Sequence, residues 1–355
     1  MDNTTQTKRK IQYVAKSTYV VSLPKQWVRV TFGDNPDVVK KKNLVIIPMQ
    51  DGSLTIYPEI VRSSEVSETT LRLDDKEIIS NVDFLKKRLI SKYLAGYRRI
   101  RLTSKEVFPP EMVKNVEDIV RLFIGCEIVE INPNIIVIQD LLALGQLPIR
   151  QALNMMSLTT RSATKSAIHA LVTQNETMAR EVANLEDKVD QYHYLITRQL
   201  NSVLANPGLL MEHGLKLVEV IEYQSAVQLI ERISDHAERI AKGFLDMRAL
   251  QIFETISEGN SFIEILSILK DLNTKLTGIS KKAMDTFFSR DSGGAYKIIQ
   301  SCSALEPSLD RLDRLSYKMP LDLALKVVAI VDSIARTADY LIAICELAMD
   351  RAELS

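Results

Sequence analysis

The residues of this chain best placed to do chemistry are carboxylates repeated at helical spacing: Glu186 with Asp190, Glu231 with Asp235, and Glu306 with Asp310. Side chains four apart share one helix face, so each pair turns its oxygens toward the same point and can grip one ion. If the helices carrying the first two pairs pack antiparallel, the four carboxylates converge into one site. Oxygen donors of this kind suit hard or borderline cations such as iron, zinc, magnesium, manganese or calcium. The competing reading is a solvated acidic face neutralised by Lys188 and Arg232, and recurrence of the pattern is what favours a site. Histidine adds less. His193 follows Asp190 by three residues, where it could join that face, whereas His236 directly follows Asp235 and points elsewhere; His169 and His213 have no helpful neighbours.

Elements that could hold these groups are legible around them. From about residue 141 strand signals vanish and helical periodicity runs to the end, with breaks at Asn206-Pro207-Gly208, near Glu258-Gly259, at Ser292-Gly293-Gly294 and at Pro320. These define about six long helices in two groups of three, over 145–252 and 258–355, and the groups repeat each other. The middle helices carry NLEDKVDQYHYLI and ALEPSLDRLDRLS. The third helices carry LIERISDHAERIA and VVDSIARTADYLI, which sets Glu231 and Asp235 opposite Asp332 and Arg336. Periodicity places Leu185, Val189, Tyr192 and Ile196 on the buried stripe, with the carboxylates about 100° around from it, at its boundary.

Ahead of the helices lie two smaller regions. Residues 1–60 read as a compact β domain: an apolar strand-like run over 11–23, a short helix KQWVRV opened by Pro24, and strands LVIIPM and SLTIYP joined by an Asp51-Gly52 hairpin turn. Residues 68–140 alternate as β-α-β-α-β-β, a small open-faced α+β domain. The fold class is therefore α+β multidomain with an all-α C-terminal half.

Bulk properties exclude several alternatives. At 355 residues two or three domains are expected. Lysine plus arginine equals aspartate plus glutamate at 45 each, so a nucleic-acid signal must be local. It is: between residues 8 and 42, Lys8, Arg9, Lys10, Lys16, Lys25, Arg29, Lys40, Lys41 and Lys42 face only Asp34 and Asp37. Such a patch can neutralise phosphates and give salt-sensitive DNA affinity, or merely solubilise the domain. The candidate DNA-binding residues are Lys8, Arg9, Lys10, Lys16, Lys25 and Arg29. Cys126, Cys302 and Cys345 show no C-x-x-C spacing and form no disulfide framework. No stretch approaches a membrane span and the amino end is no signal peptide, so a cytoplasmic location is expected. No glycine-rich phosphate loop or nucleophile elbow supports an enzyme.

At KSTYVVSLPKQWV and the hairpin DGSLTIYP, residues 9–59 resemble the swapped-hairpin domain of the AbrB and MazE type, with Lys42-Asn43-Leu44 where the usual Lys-Gly-Asp turn would stand. That resemblance implies strands interlaced between two chains and a homodimer that binds DNA. The helical half resembles the PhoU family, and LIERISDHAERIA looks very like its third-helix signature. This second resemblance implies two three-helix repeats that bind metal through Glu/Asp-x-x-x-Asp pairs. Carried across, Glu186, Asp190, Glu231 and Asp235 match in the first repeat and Glu306, Asp310 and Asp332 in the second, where Arg336 replaces a carboxylate and Asp339 is the nearest substitute. The combination resembles an archaeal type of phosphate-uptake regulator. Neither family explains residues 68–140.

Three functions are then in view. The first is a DNA-binding transcriptional regulator of phosphate uptake with a metal-binding sensor half. In the second the helical half acts by contact with a phosphate transporter or signalling kinase, without DNA. The third, a di-metal carboxylate oxidase, lacks the expected Glu-x-x-His pairs; only Asp190-x-x-His193 comes near.

Overall fold

The computed structural model describes residues 8–14, 18–48, 52–58, 67–73, 81–142, 147–205, 209–210, 215–249 and 260–354. The chain divides into two units, Met1–Glu65 and Val66–Ser355.

In the first unit the apolar run expected as one strand is a hairpin, β1 (Gln12–Val14) against β2 (Thr18–Val20), with Tyr13 opposite Tyr19 and their rings 5.1 Å apart. Pro24 opens α1 (Lys25–Phe32) as expected. The segment FGDNPDVV forms an unforeseen short helix, α2 (Pro36–Val39), where the Asn35 side chain accepts the Asp37 N–H at 3.0 Å and Pro36 supplies a preset φ. Strands β3 (Leu44–Pro48) and β4 (Leu54–Pro58) pair antiparallel, Ile46 opposite Ile56, so the chain reverses where Asp51-Gly52 was expected to turn it; Asp51 itself lies outside the described residues. The two hairpins are separate two-stranded sheets. No described side chain of this unit is buried: Val30 is 83% exposed and Tyr19 74%. The compact β core expected here is not formed within one chain.

The second unit begins with the predicted β-α-β-α-β-β order: β5 (Glu68–Arg72), α3 (Val82–Leu94), β6 (Arg99–Thr103), α4 (Pro110–Val120), β7 (Cys126–Asn132) and β8 (Ile135–Asp140). The sheet order is β5-β6-β8-β7, with β5 and β6 parallel and the others antiparallel. Strand alternation sends Leu71, Ile100, Leu102, Ile136 and Ile138 into a core with Leu85, Leu89, Met112 and Val116 from the helices. Gly125, at φ 84, turns the chain into β7 where any Cβ would overlap the Leu142 side chain.

Among the described residues seven long helices follow. Pro148 precedes α5 (Ile149–Thr173), which ends on Gln174 in the left-handed region at φ 55. The Asn175 side chain accepts the Met178 N–H at 3.0 Å and opens α6 (Glu176–Ala205); α7 (Leu217–Ala249) completes the first repeat. The second comprises α8 (Asn260–Ser289), α9 (Ser292–Ser303), α10 (Glu306–Ser316) and α11 (Leu321–Glu353). The break expected at Ser292-Gly293-Gly294 falls just ahead of it: α8 ends at Ser289, the chain turns at Arg290 and Asp291, and the Asp291 carboxylate accepts the Gly294 N–H at 2.9 Å, so the glycines form the capped first turn of α9. A further, unforeseen interruption is at Ala304-Leu305, just before Pro307, which has no N–H to continue the ladder. Pro320 precedes α11 as expected; the expected breaks at 206–208 and 258–259 lie outside the described residues.

Helices α5, α6 and α7 pack on one another, while α11 packs on α8, α9 and α10; contacts of α7 with α11 and of α5 with α8 merge the repeats around one core. Glu219 on α7 ties the repeats together, paired with Arg351 at 3.1 Å and Arg290 at 2.6 Å. The α+β domain is fastened to α6. Arg198, 4% exposed, donates to the carbonyls of Tyr93 at 2.7 Å and Tyr97 at 3.0 Å and pairs with Asp140 at 2.8 Å. Gln191 donates to the Arg121 carbonyl at 2.9 Å, and Tyr194 packs against the α+β core.

A candidate metal centre on the first helical repeat

The predicted apolar stripe of α6 faces the core: Val189 is 1% and Ile196 0% exposed, with Leu185 and Tyr192 packed against them. Glu186 and Asp190 sit at its margin, half-buried. Glu176 at the start of α6 pairs with Arg248 near the end of α7 at 3.0 Å, so the two helices run antiparallel. Glu231 and Asp235 on α7, also half-buried, are thereby brought to the same place.

Their electrostatics show the convergence. Burial pushes Glu186 up to about 8, and repulsion from Asp190, Glu238, Asp187 and Asp235 adds to it. Burial likewise raises Glu231 to about 7, with Asp235 and Asp190 contributing and Arg232 opposing. Asp190 is raised to about 6, again by burial, against the Tyr194 hydroxyl, which donates to it at 3.3 Å, and against Lys86. Asp235 is raised by burial despite Arg239 and Arg232. These half-buried carboxylates repel one another, the condition a cation relieves.

His193 belongs to this cluster. Asp190, His193 and Glu231 each offer a ligand atom within 4.8 Å of the others, the only such triplet of possible ligands among the described residues. Three donors each about 2.1 Å from one ion stand roughly 3.4–3.6 Å apart, so a bound ion would draw these side chains inward. Burial lowers the His193 pKa and favours the neutral, ligating imidazole. His236, as expected, points elsewhere: it is buried beside Tyr340 of α11, ring centroids 5.7 Å apart.

The second repeat differs. Glu306 and Asp310 are exposed, and Asp332, 61% exposed, lies 3.8 Å from Arg336, which also reaches Asp339 at 3.6 Å. Arginine has become the local counter-ion of a solvated face. The residue sequence reasoning missed there is Asp313, raised by burial and then by Asp310 and Asp332. The signal was available, since Asp310-x-x-Asp313 repeats the spacing of Asp190-x-x-His193.

Of the basic candidates, Lys8, Arg9, Lys10 and Lys25 are exposed, and Lys16 lies outside the described residues. Arg29 bonds to Asp34 at 2.7 Å, which neutralises it locally.

The class defined by these features is a helical protein of two repeats, the second split into four helices, carrying a carboxylate and histidine cluster on the first, with an α+β domain docked beside it. Residues 153–243 match the PhoU domain, and that segment contains all four converging carboxylates and His193. The chain is similar, at 22% identity over 186 residues, to "Phosphate-specific transport system accessory protein PhoU homolog 1" of Thermotoga maritima, covering 51% of this chain and 75% of that one. It is also similar to the crystal structure of PhoU from Pseudomonas aeruginosa, with TM-score 0.49 and 19% identity over 58% of this chain and 96% of that one. For the phosphate transport system regulatory protein PhoU from Streptococcus pneumoniae the TM-score is 0.47 and the identity 20%, over 56% and 91% of the two chains.

Proposed function

We propose that this chain is a PhoU-like accessory regulator of phosphate transport, in which a metal ion held by the first helical repeat sets the state of a surface that contacts a transporter or its signalling kinase. The observation that carries this reading is that the PhoU-matching segment and the acidic cluster coincide. The donor set fits a divalent cation: Asp190, Glu231 and His193 would hold it, with Glu186 and Asp235 adding charge. When bound, the ion supplies positive charge and a crosslink between α6 and α7. The chain's own residues position those donors: α6 and α7 run antiparallel, and the Tyr194 hydroxyl holds Asp190 at 3.3 Å. Similarity to a phosphate transport accessory protein supports a regulatory role, and no helix of the described residues is long and apolar enough to cross a membrane.

The first unit acts in this reading as a dimerisation element. A segment with no buried side chain among its described residues has removed too little apolar surface from water to hold its fold alone, and a second copy is the simplest source of the missing core. A second reading, a DNA-binding regulator, is favoured by the exposed Lys8, Arg9, Lys10 and Lys25.

One variant separates the readings. Reversal of Lys10, Lys16, Lys25 and Arg29 to glutamate, introduced into the parent organism in place of the normal chain, should leave phosphate uptake regulated. Purified, it should keep a light-scattering mass twice the 40.1 kDa of one chain. Loss of regulation together with loss of salt-dependent retention on promoter DNA would favour the DNA reading. A mass of one chain for the unmodified protein would remove the dimer.

A further inference from the structure

We propose that the outer ridge of α10, formed by Arg311, Arg314 and Lys318, docks a partner protein whose contacting face is made of helix C-termini and carboxylates. The inference rests on the contact-regulator part of the reading above and needs nothing of the metal. It adds where the partner sits and what chemistry it presents.

The internal repeat carries the argument. With Glu306 and Asp310 aligned on Glu186 and Asp190, the residues Arg311, Arg314 and Lys318 correspond to Gln191, Tyr194 and Arg198. On α6 those three positions form the ridge that holds the α+β domain. Gln191 donates to the Arg121 carbonyl at the end of α4 at 2.9 Å, and Arg198 donates to the Tyr93 and Tyr97 carbonyls at the end of α3. Asn201, three residues further on, donates to the Leu94 carbonyl at 3.0 Å, and Arg198 also pairs with Asp140. The ridge is a row of donors, and it grips the carbonyl ends of two helices together with a carboxylate. Such ends carry unsatisfied C=O groups and partial negative charge.

On α10 the same ridge is uncovered and more cationic. Arg311, Arg314 and Lys318 are all exposed, with Lys318 in the turn just beyond the helix. Arg311 donates to Glu264 of α8 at 2.6 Å, whereas the Arg314 and Lys318 side chains have no hydrogen bond or ion pair among the described residues. A cleft of about 530 Å³ is lined by these three cations together with the carboxylates of Glu264 and Asp310, so its lining is net positive. Tyr317, beside Lys318, is 79% exposed, and Leu321, where α11 begins, is 72% exposed; both are apolar area that docking would cover. Carboxylates interspersed among the cations repel a continuous phosphate backbone, and the equivalent ridge of α6 already docks a protein domain. A protein face fits better than nucleic acid or lipid.

The test is photo-crosslinking in the parent organism by the full chain carrying p-benzoylphenylalanine in place of Tyr317. Three backgrounds are compared: otherwise unmodified, with Arg314→Glu and Lys318→Glu, and with Lys281→Glu and Lys282→Glu, an equal charge change at exposed positions of α8. The first should give an adduct with a second protein, on a segment with carboxylates near a helix end. The adduct should fall by about tenfold or more in Arg314→Glu, Lys318→Glu, persist in the α8 control, and return when the partner's carboxylates are changed to lysine. That charge-swap rescue distinguishes docking from a misfolded variant, and circular dichroism of the purified chains should be unchanged. No adduct, an adduct with a second copy of this chain, with nucleic acid or with lipid, or an adduct indifferent to the reversals would overturn the inference. Phosphate uptake in the same cells separates the two levels. Regulation lost on deleting the chain but kept with Arg314→Glu, Lys318→Glu would discard the ridge and leave the proposed function standing, whereas uptake unaltered by deletion would discard the function itself.

Discussion

Raising the pH of the metal-free protein from about 5 to about 9 is expected to lower its melting temperature by several degrees, and a saturating divalent transition ion should remove most of that loss. The sign follows from three carboxylates. Glu186, Glu231 and Asp190 are raised, to about 8, 7 and 6, first by burial and then by one another. In the unfolded chain these groups ionise near their ordinary values of about 4. Between the two ranges the folded state holds protons that the unfolded state has released. Stability from this source is fully present below the unfolded values and is lost as pH rises through the folded ones. Each ionisation makes the next harder, so the loss spreads across the window, with a total on the order of a few kcal/mol. A cation binds only the ionised cluster and the folded chain, and so reverses the trend. Thermal melts with and without chelator across this range provide the check. Asp190→Asn should flatten the metal-free profile, and a metal-free melting temperature that rises from pH 5 to 8 would contradict the convergence of these groups.

Replacing Arg198 by methionine is expected to free the α+β domain from the helical repeats at a cost of about 3–5 kcal/mol. The guanidinium contributes bonds to Tyr93 and Tyr97, an ion pair to Asp140 and a cation-π contact 4.6 Å above the Tyr93 ring. Its removal leaves Asp140, 8% exposed, with the Leu142 N–H at 3.0 Å and, as its one remaining cation among the described residues, Arg98 at the longer distance of 3.9 Å. Leaving one buried charge unpaired is the costly event, more than the loss of the pair itself. Hydrogen exchange should accelerate across residues 67–142 while the core of α5 and α7 stays protected. Arg198→Lys, which keeps the charge but not the fork, should fall between. Unchanged exchange in the methionine variant would show that the domain is held by its apolar contacts alone. The same helix carries Asp190, Tyr194 and Arg198, so the domain anchor and the candidate metal centre share one rigid element.

What could be read from the sequence is what depends on local spacing. The 3.6-residue stripe through Val189 and Ile196, the sheared order of strands and helices over 68–140, and the pairing of Glu186 with Asp190 are all set by neighbours along the chain. The Arg198 to Asp140 pair joins residues 58 apart in sequence, and no periodicity encodes it. The placement of Lys86 near Asp190 depends in the same way on docking between domains. Ser292-Gly293-Gly294 marked the end of α8 to within a few residues, though the glycines themselves form a first turn that the Asp291 cap makes tolerant of them. Pro307 gave the opposite signal: its missing N–H splits α9 from α10 in a stretch whose repeat partner, α6, is continuous. The first unit shows the remaining limit. Alternation identified its strands, but pairing within a single chain leaves their apolar side chains uncovered, and a covering partner is not written in the local pattern.

The central claim is that α6 and α7 of the first repeat hold a metal ion, and its most direct test is the metal content of freshly purified full-length chain beside a Glu186→Ala, Asp190→Ala double variant. A transition metal should be retained by the unmodified protein in stoichiometric amount and lost from the variant, with helical content preserved in both. Equal metal in the two, or none in the unmodified protein after reloading, would contradict it.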